Sequence, residues 1–279
     1  MDKYYVMGNP IAHSKSPLIH ARFAELTGQV MQYEHLLTPL DGFAATLAQL
    51  VQRGARGCNV TVPFKFEAFR AANTQTDRAQ LAEAANTLVL GGGTVHADNT
   101  DGVGLVNDIQ NNAGVALSGR DVLLIGAGGA GAGVLGPLLA AGPRRLVLVN
   151  RTRASADALM QRHKAHPSLQ SALQKTELLV QDLHGIKGSF DVIINASASS
   201  LAGAEVPVAG HIMKPGALAY DMMYGPAAAA FMTWASEHGA NPRDGLGMLV
   251  EQAAESFALW RKVRPPSAQV LQEMRALQL

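Results

Sequence analysis

Asp121-Val-Leu-Leu-Ile125 runs straight into Gly126-Ala127-Gly128-Gly129-Ala130-Gly131, and the two pieces have opposite physical characters. The first is a short apolar run suited to a strand buried on both faces. The second is a turn almost without side chains, and the Ala- and Leu-rich segment after it predicts a helix. Arg144-Arg-Leu-Val-Leu-Val149 then reads as a second parallel strand, so that strand, glycine turn, helix and strand fall within about thirty residues, the span of a nucleotide-binding βαβ unit. Gly126 permits the tight turn, Gly128 lets the backbone approach a pyrophosphate with no Cβ in the way, and Gly131 lets the helix pack close to the sheet. The anion rests on free helix N-terminal N–H groups, where the dipole favours negative charge. Gly126, Ala127, Gly128, Gly129 and Ala130 are therefore the candidate cofactor-binding turn.

The end of the second strand selects the cofactor. An NAD site places Asp or Glu there, about 20 residues past the glycines, to accept hydrogen bonds from the ribose 2′-hydroxyl. This chain has Asn150-Arg151-Thr152-Arg153 instead. A carboxylate repels a 2′-phosphate, whereas two guanidiniums and a hydroxyl clamp it through charge-assisted hydrogen bonds. NADP is the expected cofactor.

Composition bounds the rest. With 279 residues the chain exceeds one comfortable core, and two domains are expected. A hydrophobic content of 48% against 16% charged residues fits a globular enzyme with a large buried sheet. A net charge of +1 leaves no electrostatic footprint for nucleic acid or an acidic membrane surface. The single cysteine, Cys58, has no disulfide partner and no metal-ligand spacing, which predicts a small buried hydrophobe, a cytoplasmic setting and no metal site. Met1-Asp2-Lys3-Tyr4-Tyr5 opens without an apolar leader, and no apolar run approaches the length of a membrane span.

Before the cofactor unit, polar residues gather where predicted strands give way to helices. Tyr4-Tyr-Val-Met7 reads as a strand broken at Gly8-Asn9-Pro10, and Pro17 makes Ser16 the expected N-cap of the next helix. Ser14 has no such role, and two hydroxyls around Lys15 form a polar grip for a small hydroxylated or anionic ligand. Arg56-Gly-Cys-Asn59-Val60-Thr61-Val62 is a strand cut by Pro63, so Thr61 and Lys65 bracket the carboxyl end of a strand, where open α/β sheets place their ligands. Asn86-Thr87 opens another strand. Asp98-Asn99-Thr100-Asp101 follows a Gly91-Gly92-Gly93 hairpin turn, and Asp101 is a candidate cap for a helix reaching about Asn112. Beyond the cofactor unit the pattern predicts a helix at 155–165, strands at 177–180 and 191–195, a small-residue run at 197–200 bordering the cofactor crevice, a last parallel strand at 216–220, and helices from Gly245 to Trp260 and from Ser267 to Leu277.

Gly8-Asn-Pro-Ile-Ala-His-Ser14-Lys-Ser16-Pro, Asn59-Val-Thr61-Val-Pro-Phe-Lys65, Asn86-Thr, Asn99-Thr-Asp101-Gly-Val-Gly, the 126–131 glycines, Asn150-Arg-Thr, Tyr220-Asp-Met-Met-Tyr224 and Asp244-Gly-Leu-Gly-Met-Leu-Val-Glu-Gln252 together resemble the shikimate dehydrogenase family, in the same order from end to end. The resemblance implies an N-terminal α/β substrate domain with a mixed sheet, residues 1–102, completed by C-terminal helices at 246–279. It also implies a Rossmann-type doubly wound NADP-binding domain, residues 103–245, with substrate in the cleft between the two. The implied reaction is reversible hydride transfer between NADPH and the C3 carbonyl of 3-dehydroshikimate, giving shikimate, in aromatic amino-acid biosynthesis. Residue by residue, it implies Lys65 and Asp101 as the catalytic pair. Ser14, Ser16, Thr61, Asn86 and Gln252 become contacts to the substrate carboxylate and hydroxyls, with Tyr224 beside them. Asn150, Arg151, Thr152, Arg153, Ser155, Met222 and Gly245 join the glycine turn on the cofactor side. A monomer or homodimer with a small-molecule substrate is expected.

The chain departs from the family pattern in two places. The family often follows Asn-Arg-Thr by two residues and a basic one, which here is Ser155, so Arg153 is expected to substitute from a different angle. The runs 196–201 and 227–230 are unusually small. A quinate/shikimate dehydrogenase using NAD and a nucleotide-sensing regulator without turnover are the competing readings; the missing acid after the second strand disfavours the first, and intact Lys65 and Asp101 disfavour the second. Gly102, Gly104 and Gly245 are candidate hinges between the domains.

Overall fold

The computed structural model describes residues 1–197 and 208–277. They form two compact units, one made of Met1–Gly104 and the chain from Leu249 onward, the other of Leu105–Met248.

The first unit contains β1 (Asp2–Gly8), α1 (Ser16–Thr27), β2 (Met31–Leu37), α2 (Phe43–Gln52), β3 (Gly57–Val60), α3 (Lys65–Ala71), β4 (Thr74–Gln75), α4 (Asp77–Ala82), β5 (Thr87–Gly91) and β6 (Thr94–Asp98). Its sheet has the order β2-β1-β3-β5-β6-β4. β1 runs parallel to both β2 and β3, while β5 is antiparallel to β3 and to β6, so the sheet is mixed. β5 returns into β6 through the Gly92-Gly93 turn, where both residues have positive φ (58° and 76°), the backbone a two-residue hairpin loop requires. Its consequence for function is geometric. Asn59 pairs with Thr87 and Thr87 with Asp98, so the end of β3, the start of β5 and the end of β6 share one edge of the sheet.

The chain continues through α5 (Asp101–Asn107), β7 (Asp121–Ile125), α6 (Gly129–Ala140), β8 (Arg145–Asn150), α7 (Arg153–Ala165), α8 (Gln170–Leu173), β9 (Glu177–Asp182), β10 (Phe190–Asn195), β11 (Met213–Asp221), α9 (Ala229–Glu237), β12 (Asn241–Arg243), α10 (Leu246–Arg261) and α11 (Ser267–Ala276). The second sheet is parallel throughout, in the order β12-β11-β10-β7-β8-β9. Counted from β7 this is the 3-2-1-4-5-6 order of a doubly wound dinucleotide fold, with its switch point between β7 and β10. β7 is buried along its whole length, as its unbroken apolar run demanded.

Several sequence expectations are corrected. Ser16 is the first residue of α1, not its cap; Lys15 precedes it as N-cap, and the Ser14 hydroxyl accepts the Ser16 N–H at 3.3 Å. Asp101 does not cap α5 either: it is the helix's first residue, and its carboxylate accepts Lys65 and Asn86 instead. The helix expected to reach Asn112 ends at Asn107 and passes into a π-helical turn, Asp108–Asn112. The parallel strand expected to be last is followed by β12, and β4 and α4 were not anticipated, because two- to six-residue elements carry too little periodicity to read. α7 starts at Arg153, two residues before the expected start at 155. Of the small-residue run at 197–200, and of the longer loop at 196–201, all beyond Ser197 lies outside the described residues.

Two buried groups outside the expected site set the stability of the units. In the second, Asp108 is fully buried and accepts a two-pronged ion pair from Arg243 (2.6 and 2.7 Å) and a hydrogen bond from Tyr220 Oη at 2.8 Å. Gly247 leaves no room for a Cβ against that carboxylate. In the first, His20 is fully buried and stacks on Tyr33 with ring centroids 4.2 Å apart, and neither ring nitrogen finds a hydrogen-bond partner among the described residues. Burial pushes its pKa down to about 3.

Replacing Arg243 with Leu strands the Asp108 carboxylate, and is expected to cost about 3–5 kcal/mol in chemical denaturation, with part of the loss restored in the Asp108→Asn, Arg243→Leu double variant. His20 stays neutral in the fold but titrates near 6.5 when unfolded, so the unfolded state alone takes up a proton as pH falls below that value. Stability should therefore drop by about 2 kcal/mol between about pH 6.5 and 5 from this residue, at about 1.4 kcal/mol per pH unit. His20→Phe should flatten that part of a stability–pH curve measured by urea unfolding.

Candidate active site

Chain reversal builds the first site. Thr61 N–H donates to Met7 O at 2.9 Å and Asn9 N–H to Val62 O at 3.1 Å, which ties the loops leaving β1 and β3 together. Gly8 is required where they meet, since a Cβ there would fall 2.5 Å from Thr61 Cγ2. The loop after β1 carries Ser14 and Ser16, and the loop after β3 carries Thr61 and leads to Lys65 at the start of α3. Asn86 and Asp101 arrive at the same edge through the antiparallel pairing of β3, β5 and β6. Gln252 comes from α10.

Lys65 and Asp101 form an ion pair, Lys65 Nζ donating to Asp101 Oδ2 at 2.6 Å. The lysine side chain is 28% exposed and the carboxylate 9%, so the pair stays open to a ligand on the lysine side. Nζ makes no other hydrogen bond among the described residues and keeps N–H groups to offer. The second carboxylate oxygen, Oδ1, accepts Asn86 Nδ2 at 2.8 Å. The orientation of Asn86 is not arbitrary: its Oδ1 accepts the Thr100 backbone N–H at 2.8 Å, which leaves Nδ2 facing Asp101. Asn86 is 3% exposed, and its Nδ2 also faces Thr100 Oγ1 (2.9 Å) and Gln252 Oε1 (3.1 Å). Gln252 Nε2 donates to Leu249 O. Asn86 and Gln252, expected to touch substrate, are thus already engaged with protein groups, whereas the Thr61 hydroxyl has no partner among the described residues.

Behind this edge lies a polar group that sequence reasoning passed over. Asn59, Thr87, Thr100 and Ser256 are buried and hydrogen-bonded to one another, and Tyr33 Oη donates to Asn59 Oδ1 at 2.7 Å. The signal was present: Gln252 and Ser256 stand four apart on one face of an otherwise apolar helix stripe. Cys58 is buried beside Asn59 in sequence, and burial pushes its thiol up to about 12, which makes it inert.

The second site lies at the carboxyl ends of β7, β8, β10 and β11. Gly126 has φ of 112°, and a Cβ there would fall 2.9 Å from the Ala196 backbone. Gly131 packs so closely on Gly126 O that no side chain fits, whereas a Cβ on Gly128 would meet nothing within 4 Å. Close packing at two glycines and open space at the third is the cradle a pyrophosphate needs, facing the first N–H groups of α6 at Gly129 and Ala130, which have no partner among the described residues. Asn150 Oδ1 accepts the Ala127 N–H at 3.1 Å and so ties the turn to the end of β8. Arg151, Thr152, Arg153 and Ser155 are exposed. They are not equivalent. Arg153 is engaged by Asp182 at 2.9 Å and Asp157 at 3.5 Å, whereas Arg151 carries no ion pair among the described residues.

At the end of β11, Gly245 N–H donates to Met223 O at 2.8 Å and packs on the Met222 carbonyl without room for a Cβ, which brings Met222 and Gly245 together. Asp221 is buried there, accepting the Met223 N–H and the Asn195 amide, a brace between β10 and β11 that the sequence reading did not foresee. Tyr224 follows in the same unit, half-buried, and burial raises its pKa so that it keeps its phenolic proton. Among the described residues no cluster of His, Cys, Asp and Glu could hold a metal, and no helix is long and apolar enough to cross a membrane.

Known proteins share this arrangement. The family model for the shikimate dehydrogenase substrate binding domain matches residues 6–88, that for shikimate / quinate 5-dehydrogenase residues 108–207, and that for the shikimate 5′-dehydrogenase C-terminal domain residues 245–275. A shikimate dehydrogenase (NADP(+)) of Acidovorax sp. (strain JS42) is 65% identical over 99% of this chain and 96% of its own. One from Verminephrobacter eiseniae is 62% identical over 98% and 94%. An Ael1 enzyme from Pseudomonas putida superposes with a TM-score of 0.90 at 42% identity, covering 98% of both chains. The shikimate 5-dehydrogenase of Thermus thermophilus, solved in complex with NADP(H) and shikimate, superposes with a TM-score of 0.85 at 29% identity over the whole of both chains. On these matches, and on the glycine cradle and strand order described above, the chain belongs to the shikimate dehydrogenase family.

Proposed function

We propose that this protein catalyses the reversible NADPH-dependent reduction of 3-dehydroshikimate to shikimate, with Lys65 and Asp101 as its catalytic pair. The observation that carries the assignment of residues is the 2.6 Å Lys65–Asp101 ion pair at the shared strand edge, with N–H groups of the ammonium still uncommitted. NADPH, when bound, supplies the hydride. Reduction of the ketone leaves negative charge on its oxygen, and Lys65 answers that charge by hydrogen bonding and then proton donation, leaving the alcohol. In the reverse direction the lysine takes the proton back. Asp101 holds the ammonium in place and offers a carboxylate to a neighbouring substrate hydroxyl.

The unpartnered Thr61 hydroxyl and the Ser14 and Ser16 loop supply donors for the substrate carboxylate and hydroxyls. Asn86 and Gln252 contribute by exchanging one of their present protein partners for substrate, and Tyr224 contributes as a neutral hydroxyl. The Gly126–Ala130 turn holds the pyrophosphate, Arg151 grips the 2′-phosphate, and Met222 and Gly245 shape the cofactor side. Arg153, occupied by two carboxylates, contributes less. A cytoplasmic setting agrees with a lone thiol that is buried and inert, and a monomer or homodimer is the assembly we favour.

Lys65→Ala should lower kcat by about 10²–10⁴-fold with a smaller effect on KM. Initial rates with shikimate and NADP⁺ measure this, and wild-type turnover in the variant would remove Lys65 from the mechanism. Arg151→Ala should raise KM for NADP⁺ by about 10–100-fold, the worth of a charge-assisted contact of roughly 1.5–3 kcal/mol, and leave KM for NAD⁺ almost unchanged. Arg153→Ala should do less, and the reverse ranking would show that the ion pairs with Asp182 and Asp157 open when cofactor binds.

A further inference from the structure

We infer that Ser256, on α10, is a positioning residue for the reaction proposed above: through Thr87 and Thr100 it steadies the Asn86 amide that holds Asp101. The inference rests on the Lys65–Asp101 assignment and extends it to a residue remote from the reacting atoms. Ser256 is fully buried. Its Oγ donates to Gln252 O, one helical turn back, at 3.1 Å. With its single proton committed there, the oxygen faces its other neighbours as an acceptor. Those neighbours are Thr87 Oγ1 at 2.7 Å, Asn59 Nδ2 at 3.0 Å and Thr100 Oγ1 at 3.3 Å.

The same hydroxyls border Asn86. Both threonine hydroxyls also lie within reach of Asn86 Oδ1, Thr87 at 3.0 Å and Thr100 at 3.2 Å. Thr87 Oγ1 thus lies between Ser256 Oγ and Asn86 Oδ1, while the Asn86 oxygen keeps the Thr100 backbone N–H as its constant donor. Asn86 Nδ2 is then held between Thr100 Oγ1 and Asp101 Oδ1. Remove the Ser256 hydroxyl, and Thr87 Oγ1 loses its 2.7 Å neighbour while Asn59 Nδ2 loses one of its acceptors, so the side chains bonded to Asn86 lose the partner that holds them. The amide loosens, and the carboxylate that orients Lys65 loosens with it. The Ser14, Ser16 and Thr61 loops and the cofactor turn take no part in this network, whereas Asn86 and Gln252 do.

Steady-state kinetics of Ser256→Ala, Thr87→Val and the double variant, with shikimate and NADP⁺ across pH, test the relay. Ser256→Ala should lower kcat by about 5–20-fold, change KM for NADP⁺ by less than about twofold and displace the pH profile of kcat. The double variant should be little worse than the more impaired single one, because residues acting through one network are not additive. Unchanged kcat and pH profile alongside a lowered unfolding midpoint would reduce Ser256 to packing, and fully additive losses would refute the relay. Should Ser256→Ala fold poorly, Thr87→Val carries the same expectations alone. Absence of turnover in the wild type would instead overturn the proposed reaction, leaving the two failures distinguishable.

Discussion

One backbone N–H, that of Thr100, anchors the chemistry of the first unit. It donates to Asn86 Oδ1 at 2.8 Å and, being a donor that cannot reverse, it dictates which end of the Asn86 amide faces Asp101. Everything on either side depends on that polarity. The carboxylate receives Asn86 on one oxygen and Lys65 on the other, and the lysine is held at a fixed point with N–H groups to spare. An amide free to flip would present its oxygen to the carboxylate and repel it. Burial makes the constraint stringent, since an unmatched polar pair in this setting costs far more than it would in water.

That N–H can reach Asn86 because the sheet turns back on itself. A wholly parallel sheet would send β5 in the same direction as β3 and β6, with its start at the opposite edge from their ends. Antiparallel pairing of β5 with β3, and of β6 with β5 through the Gly92-Gly93 hairpin, puts the start of β5 and the end of β6 beside the end of β3, and so gathers Thr61, Asn86 and Asp101 from separate parts of the chain. The second unit solves a different problem with a uniform parallel sheet. There the ligand is a long anion, and the carboxyl ends of successive strands supply a glycine turn at β7, cationic side chains beyond β8 and a braced edge at β10 and β11.

The two arginines beyond β8 illustrate how tertiary context redistributes sequence signals. Read along the chain, Arg151 and Arg153 are a matched pair of cations for a 2′-phosphate. In the fold, Asp182 at the end of β9 and Asp157 one turn along α7 occupy Arg153, because β8 and β9 pair in parallel and bring Asn150 opposite Asp182. No local pattern announces that pairing. A similar lesson comes from Asp108 and Arg243, which are 135 residues apart and meet only because a π-helical turn directs the carboxylate inward beneath β12.

The sequence alone determined the features whose physics is local. An apolar run entering Gly126-Ala-Gly128 can only be a buried strand feeding an anion-binding turn, and Asn150-Arg151 in place of an acid is a statement about charge that needs no coordinates. Motif order was enough to bring Lys65 and Asp101 forward as partners. What only the tertiary structure decided is which polar atoms are spent on one another. Asn86 and Gln252 read as free amides in sequence but are engaged in the fold, Ser16 reads as a cap but is not one, and Ser256 reads as an unremarked helix residue but closes a buried network. Hydrogen-bond partners are set by contacts between strands and helices far apart in the chain, and each donor can be given only once; that exclusivity belongs to the folded molecule and has no counterpart in residue order.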